Sequence, residues 1–248
     1  MSSTTPYSVR WRGPVLLPHS RAWDVSVSVE HAGASPTISA ATFTLYTPDG
    51  AARVDAQAAT VSGGTLTYSL AGTELTADDM GARWLVLFEA TIDGDQLPFY
   101  CDAAVCLAPL YPPVGTTDLT DRYSKIADLQ ATGSSDLQKF ITDAWGELTQ
   151  KLYSDGVRFW GMRSPGALRP WLLNRSLELA LDDLALLIDQ GSQYNEEARR
   201  LGETLTKLYA DIRARLDSTG DNTITETIEA ADPVVILSSS RRYGSPRR

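Results

Sequence analysis

The hydrophobic pattern of this chain changes period near residue 110, and no single sheet or bundle accommodates both halves. Before that point apolar residues alternate with polar ones; after it they recur every three to four residues. A period of two lines one face of a strand, and a period near 3.6 lines one face of a helix. The stretch Leu107-Ala-Pro-Leu-Tyr-Pro-Pro-Val-Gly115 stands at the change. Its paired prolines cannot continue either kind of element. The expected fold class is therefore α+β as two separate domains. An all-β sandwich over 1–110, a Pro-rich linker over 111–116, an α-helical domain over 117–218 and an extended arm over 219–248 make up the division.

The first part carries strands and turns in quick succession. Trp23-Asp-Val-Ser-Val-Ser-Val-Glu30 alternates strictly, the mark of a half-buried strand. Ala41–Tyr46 follows, and Pro48-Asp49-Gly50 supplies a turn, since Pro presets φ and Gly accepts φ > 0. Gly63-Gly64 divides a strand over 53–61 from one over 65–70. Trp84–Ile92 and Pro98–Leu107 are joined across Asp93-Gly94-Asp95, a hairpin signal. With an early strand at Tyr7–Trp11, seven strands fall in about 105 residues, the spacing of an immunoglobulin-like sandwich. Trp84 and Phe88 are assigned to its interior.

Helical stripes follow. Ser135 reads as an N-cap, with Leu137, Phe140, Ile141, Ala144, Trp145, Leu148 and Leu152 on one face before Asp155-Gly156. A second stripe runs through Leu173, Leu177, Ala180, Leu181, Leu184 and Ile188 over 169–190, closed by Gly191. A third, over 195–217, places Ala198, Leu201, Leu205, Leu208, Ile212 and Leu216 together. Two helices this long with a connection of a few residues form an antiparallel hairpin.

Chemistry is searched for and not found. Two histidines and two cysteines, scattered over four places, match no zinc spacing, and no phosphate- or dinucleotide-binding glycine pattern occurs. His19 precedes Ser20 without a third partner in range. Asp93-Gly-Asp95 lacks the remaining ligands of a calcium loop. Asp182-Asp183 diverge by about 100° around a helix and read as solvated charges. No enzyme, cofactor or metal is expected. Cys101 and Cys106 stand at odd spacing in one strand, so they face opposite ways and cannot pair, as suits a reducing cytoplasm. The N-terminus shows no secretory pattern and no apolar run is long enough to cross a bilayer, so a protein made in a cytosol, without a membrane partner, is expected.

Two segments are assigned to partners instead. Phe159-Trp160-Gly-Met162 lies in a loop between helices, where large apolar groups cap a bundle or meet a neighbour; Phe159 and Trp160 are taken as contacts. Beyond Ser218, Val234, Val235, Ile236 and Leu237 form a β-prone run with no companion strand nearby in sequence. Arg241, Arg242, Arg247 and Arg248 follow, with Tyr243 between the pairs. The run is expected to add to a sheet elsewhere, with the arginines on acidic groups and Tyr243 as anchor.

Thr117-Asp-Leu-Thr-Asp-Arg-Tyr-Ser124, then Asp136-Leu-Gln-Lys-Phe-Ile-Thr-Asp-Ala144, Leu152-Tyr-Ser-Asp-Gly156, an Arg-Pro loop and Leu177-Glu-Leu-Ala-Leu-Asp-Asp-Leu184 together resemble the head-to-tail connector (adaptor) proteins of tailed bacteriophages. The resemblance covers about 116–218 and lies in helix order and texture. It implies a virion protein at the head–tail interface, assembled in the host cytoplasm. It also implies a ring, usually of twelve copies, below the portal protein, contacting the next tail or stopper protein, with C-terminal arms reaching into the portal. Minimal adaptors lack the sandwich, whose role is not implied. A formal charge of −9 fits such a ring, since acidic walls repel phosphate and let genomic DNA pass without specific binding. The alternative is a baseplate or receptor-binding protein whose sandwich binds carbohydrate and whose helices oligomerise.

Overall fold

A computed structural model of the chain describes residues 7–9, 11–31, 33–126, 136–187 and 192–216. Nine strands come first: β1 (Tyr7–Val9), β2 (Val15–Pro18), β3 (Trp23–His31), β4 (Ile38–Tyr46), β5 (Ala52–Ala58), β6 (Thr60–Ser62), β7 (Thr65–Leu70), β8 (Gly81–Ile92) and β9 (Asp95–Cys106). They form two sheets, one in the order β1-β3-β7-β6 and the other β2-β9-β8-β4-β5. All pairings are antiparallel except β2 with β9.

The alternation read from the sequence is what lets the two sheets share a core. Val25, Val27 and Val29 of β3 and Leu66 and Leu70 of β7 meet Phe43, Leu45, Trp84, Val86 and Phe88 from the other sheet. Phe43 stacks on Tyr68 across the sandwich at 4.3 Å and meets Phe88 edge-on at 5.1 Å. Outward positions of β3 are polar: Ser26 and Ser28 hydrogen-bond Thr67 and Thr65 of β7. Two hairpins turn on paired residues at positive φ, Gly63-Gly64 (54°, 81°) and Asp93-Gly94 (54°, 92°), the backbone that suits a two-residue connection. Asp93 also accepts a 2.7 Å hydrogen bond from the Tyr7 hydroxyl, tying the turn to β1.

Four helices are described in the second part: α1 (Thr116–Arg122), α2 (Leu137–Ser154), α3 (Arg169–Leu187) and α4 (Ser192–Leu216). Asp136, not Ser135, caps α2, its carboxylate accepting from the Gln138 N–H at 2.9 Å. Gly156, at φ 70°, follows its last turn. The face of α2 is as read, except that Trp145 is only partly buried and Thr149 lies inside. On α3, Trp171, Leu172 and Ser176 are buried and Leu173 is not fully so. The stripe is turned by one residue at the start of the helix. On α4, Tyr209 is buried where Leu205 and Leu208 are half-exposed. Helices α3 and α4 pack side by side as a hairpin, and Glu178 closes on Gly202, where a Cβ would come within 2.5 Å of the carboxylate. Ion pairs brace the bundle: Arg169 to Asp118 at 2.6 Å, and Arg175 to both Glu147 and Glu178 at 2.7 Å.

Two features depart from the pattern read in sequence. The segment Val15–Pro18 forms a strand, and the region over 53–61 is two strands because Ala56 sits at φ 42°. The connection over 107–115 is also closely held: Leu110 and Val114 are buried, and the Leu107 N–H donates to the Trp160 carbonyl at 2.8 Å.

Candidate functional site

Assembly of the site begins where Arg12-Gly13, between β1 and β2, crosses α2. Gly146 is buried there, and a Cβ on it would lie 2.4 Å from the Arg12 carbonyl oxygen. Gly13 is at φ +105°, and its own Cβ would lie 2.7 Å from Thr149 Oγ1. Each glycine is needed because the other backbone comes too close for a side chain. Arg12 Nε is 3.6 Å from Asp143 Oδ1 across the same crossing.

Further along, Tyr153 fixes the end of α2 to the sandwich. Its hydroxyl accepts from the Arg83 N–H at 3.0 Å and lies 3.5 Å from the Ala103 carbonyl. Burial raises the pKa of this phenol above its ordinary value. Cys106, at the end of β9, packs with Leu148, Leu152, Phe159, Leu168, Ile212 and Leu216. A sandwich strand thus supplies a residue to the helical core.

The crossing leaves a cleft of about 660 Å³ beside it, between the Trp11–Gly13 segment and the faces of α2 and α3. Trp11, Phe140, Leu179 and Leu186 give it an apolar strip. Leu186 is 86% exposed. Charged side chains surround the strip: Asp143, Glu147, Asp182 and Asp183 against Arg12 and Lys139. Asp143 is paired with Arg12, and Glu147 holds Arg175 through both oxygens at 2.7 and 3.1 Å. Asp182 is exposed, with no ion pair among the described residues. Read in sequence as diverging solvated charges, Asp182 and Asp183 both border this one cleft.

Both thiols point inward. Cys101 and Cys106 are free and buried, and burial pushes each up to about 12. His19 Nδ1 lies 3.0 Å from Ser20 Oγ at an exposed position. Among the described residues no group of three or more His, Cys, Asp or Glu side chains could hold a metal ion. No helix among them is long and apolar enough to cross a membrane.

Phe159 needs correcting. It is fully buried, packed edge-on against Trp160 at 5.7 Å within the helical core, so it caps the bundle and offers no surface to a neighbour. Trp160 is partly buried, and its carbonyl receives the end of β9. Val234, Val235, Ile236, Leu237, Arg241, Arg242, Tyr243, Arg247 and Arg248 lie outside the described residues. The Arg12–Gly146 crossing and the cleft went unread in sequence. The remaining signal was two glycines in otherwise ordinary surroundings, Gly146 inside a helical stripe and Gly13 beside a proline.

No protein-family model matches the chain, and no curated protein matches it. Among solved structures, a trypsin-activated alpha-2-macroglobulin from Escherichia coli is similar at 13% identity and a TM-score of 0.26. That likeness covers 43% of this chain and 7% of the other, so the chain spans a small fraction of that protein's length.

Proposed function

We propose that this chain is a head-to-tail connector (adaptor) of a tailed bacteriophage: a structural virion protein that forms a ring below the portal, attaches the next tail or stopper protein and lines the DNA exit channel. The observation that carries the proposal is helix order. The segment resembling the connector entry, Asp118 to Tyr123, opens the helical part as α1 and its cap; α2 ends at Ser154 before Asp155-Gly156; Arg169-Pro170 starts α3; and α3 and α4 make the long hairpin. Arg169 on Asp118 joins the first of these elements to the third.

Charge supports the same function. A subunit at −9 presents DNA with a surface that repels phosphate, so the genome slides through without specific binding. The C-terminal arm, with its apolar run and two arginine pairs, is assigned to the portal in the assembled particle. We also assign the sandwich to the immunoglobulin-like class. Its sheet orders match strands A-B-E-D facing G-F-C, with β2 added beside β9 and β5 beyond β4. The protein then belongs at the head–tail interface of the virion, assembled in the host cytoplasm.

Mixing the purified chain with portal and weighing the product by native mass spectrometry tests this. A ring of about twelve copies on the portal is expected; a chain that leaves the portal bare contradicts it. One feature favours a second function, a carbohydrate-binding baseplate protein. Tyr100 is 54% exposed on the outer face of β9, more than any other sandwich aromatic among the described residues. Glycan-array binding lost on Tyr100→Ala would favour that function over the first.

A further inference from the structure

We infer that the cleft beside the Arg12–Gly146 crossing is the docking site for this chain's own C-terminal segment, Arg241 to Arg248, held in the free subunit. The inference does not depend on what the protein assembles with. An apolar strip ending in Leu186, 86% exposed, has no cover among the described residues. Exposed apolar strips rimmed by charge are the surfaces that peptide segments occupy.

The chemistry selects the occupant. Carboxylates of Asp143, Glu147, Asp182 and Asp183 outnumber the cations of Arg12 and Lys139 around the strip. A carboxylate accepts several hydrogen bonds, so one already paired can still receive a second guanidinium. The complementary ligand is an aromatic or aliphatic group flanked by arginines. Residues 233–248 carry four arginines and no acid, with Tyr243 next to Arg241-Arg242. Tyr243 suits the strip between Phe140 and Leu186, and the arginines suit its rim.

Reach is sufficient. Helix α4 ends at Leu216, which packs with Leu168 and Trp171 at the start of α3. From there to Asp182–Leu186 along α3 is about 20 Å at 1.5 Å per residue. The chain between Leu216 and Arg241 can extend to about 80 Å. Tethering makes the contact intramolecular, so even weak pairing is favoured over docking between two subunits.

The test uses the full chain with Leu186→Cys and Tyr243→Cys, oxidised mildly at low protein concentration. Residue 186 is exposed and 243 lies in the arm, and the buried native thiols do not compete. The comparison pair is Tyr111→Cys with Tyr243→Cys. Tyr111 is 61% exposed and adjoins Leu110, which clusters with Leu216 at the arm's root. Chance encounter therefore favours the comparison pair. The intramolecular 186–243 disulfide is expected to form at least about tenfold faster, and to lose that advantage in 1 M salt or on Arg241→Ser with Arg242→Ser. Equal or slower formation overturns the inference. So does a 186–243 disulfide found mainly between light and isotopically heavy chains in a mixture.

Discussion

The Arg12 carbonyl and Gly146 are in contact across the boundary between sandwich and helices, so close that a methyl group on residue 146 would stand 2.4 Å from the oxygen. The N-terminal part is therefore seated on α2 backbone to backbone. Gly146→Ala pits a helix-propensity gain of about 1 kcal/mol against overpacking of about 1–3 kcal/mol or more. The contact is with rigid backbone on both sides, so overpacking prevails. A net loss of about 1–2 kcal/mol is expected in urea melts. Gly166→Ala, where the nearest atom is 3.6 Å away, is expected to change stability by less than about 0.5 kcal/mol.

Residues 1–110 alone are expected to fold, because every residue of the sandwich core precedes Leu107. They should be less stable than in the full chain, since Cys106, Leu110 and part of Leu16 lose their cover of Leu148, Phe159 and Ile212. Circular dichroism should show a β spectrum with a melting temperature several degrees lower. A random-coil spectrum would mean that the helices are needed for the sandwich to form at all.

Arg175 is the brace whose loss should cost most among the ion pairs. It is three-quarters buried and serves Glu147 on α2 and Glu178 on its own helix. Both carboxylates raise its pKa, Glu147 most. Arg175→Ala strands two acidic groups near each other, and a loss of about 2–3 kcal/mol is expected. Chemical denaturation of R175A beside R199A, whose partner Glu203 is on the solvent-exposed face, makes the comparison; the second should lose under about 0.5 kcal/mol.

Alkali should destabilise the protein before it reaches the native thiols. Cys101 and Cys106 titrate near 9 when exposed and near 12 when buried here. A raised folded pKa means the stabilisation is complete below about 9 and is lost as pH rises toward 12. Buried Tyr123, pushed up to about 12 by burial and by its hydrogen bond to Glu197, adds to the same decline. Stability measured from pH 8 to 11 should fall, and Cys106→Ala should make the fall shallower. At pH 8 neither thiol should react with a disulfide reagent until denaturant is added.

Much of this architecture is legible along the chain because its signals are local. The strict alternation of Trp23–Glu30 and the Asp93-Gly94 turn need no distant partner to be read, and the stripe of α2 is as plain. What escaped depends on distant contacts. Val15–Pro18 is short and ends in proline; it is a strand because β9 lies beside it, nearly ninety residues away. Phe159 was ambiguous for the same reason, since a loop aromatic is buried or exposed according to what the sandwich end does. The Arg12–Gly146 contact has no local mark beyond the absence of a side chain. The partner-binding arm is chemical in character, and its composition of β-branched residues and arginines states a preference for a surface without naming it.

The central claim is that the arm joins the subunit to the portal while the folded body stands without it. Deleting residues 232–248 and measuring both the melting temperature and the mass of the complex with portal tests it most directly. The account predicts an unchanged melting temperature to within about two degrees, no ring on the portal, and heads that fill with DNA but acquire no tails. A truncated chain that still assembles on the portal, or one that no longer folds, would contradict it.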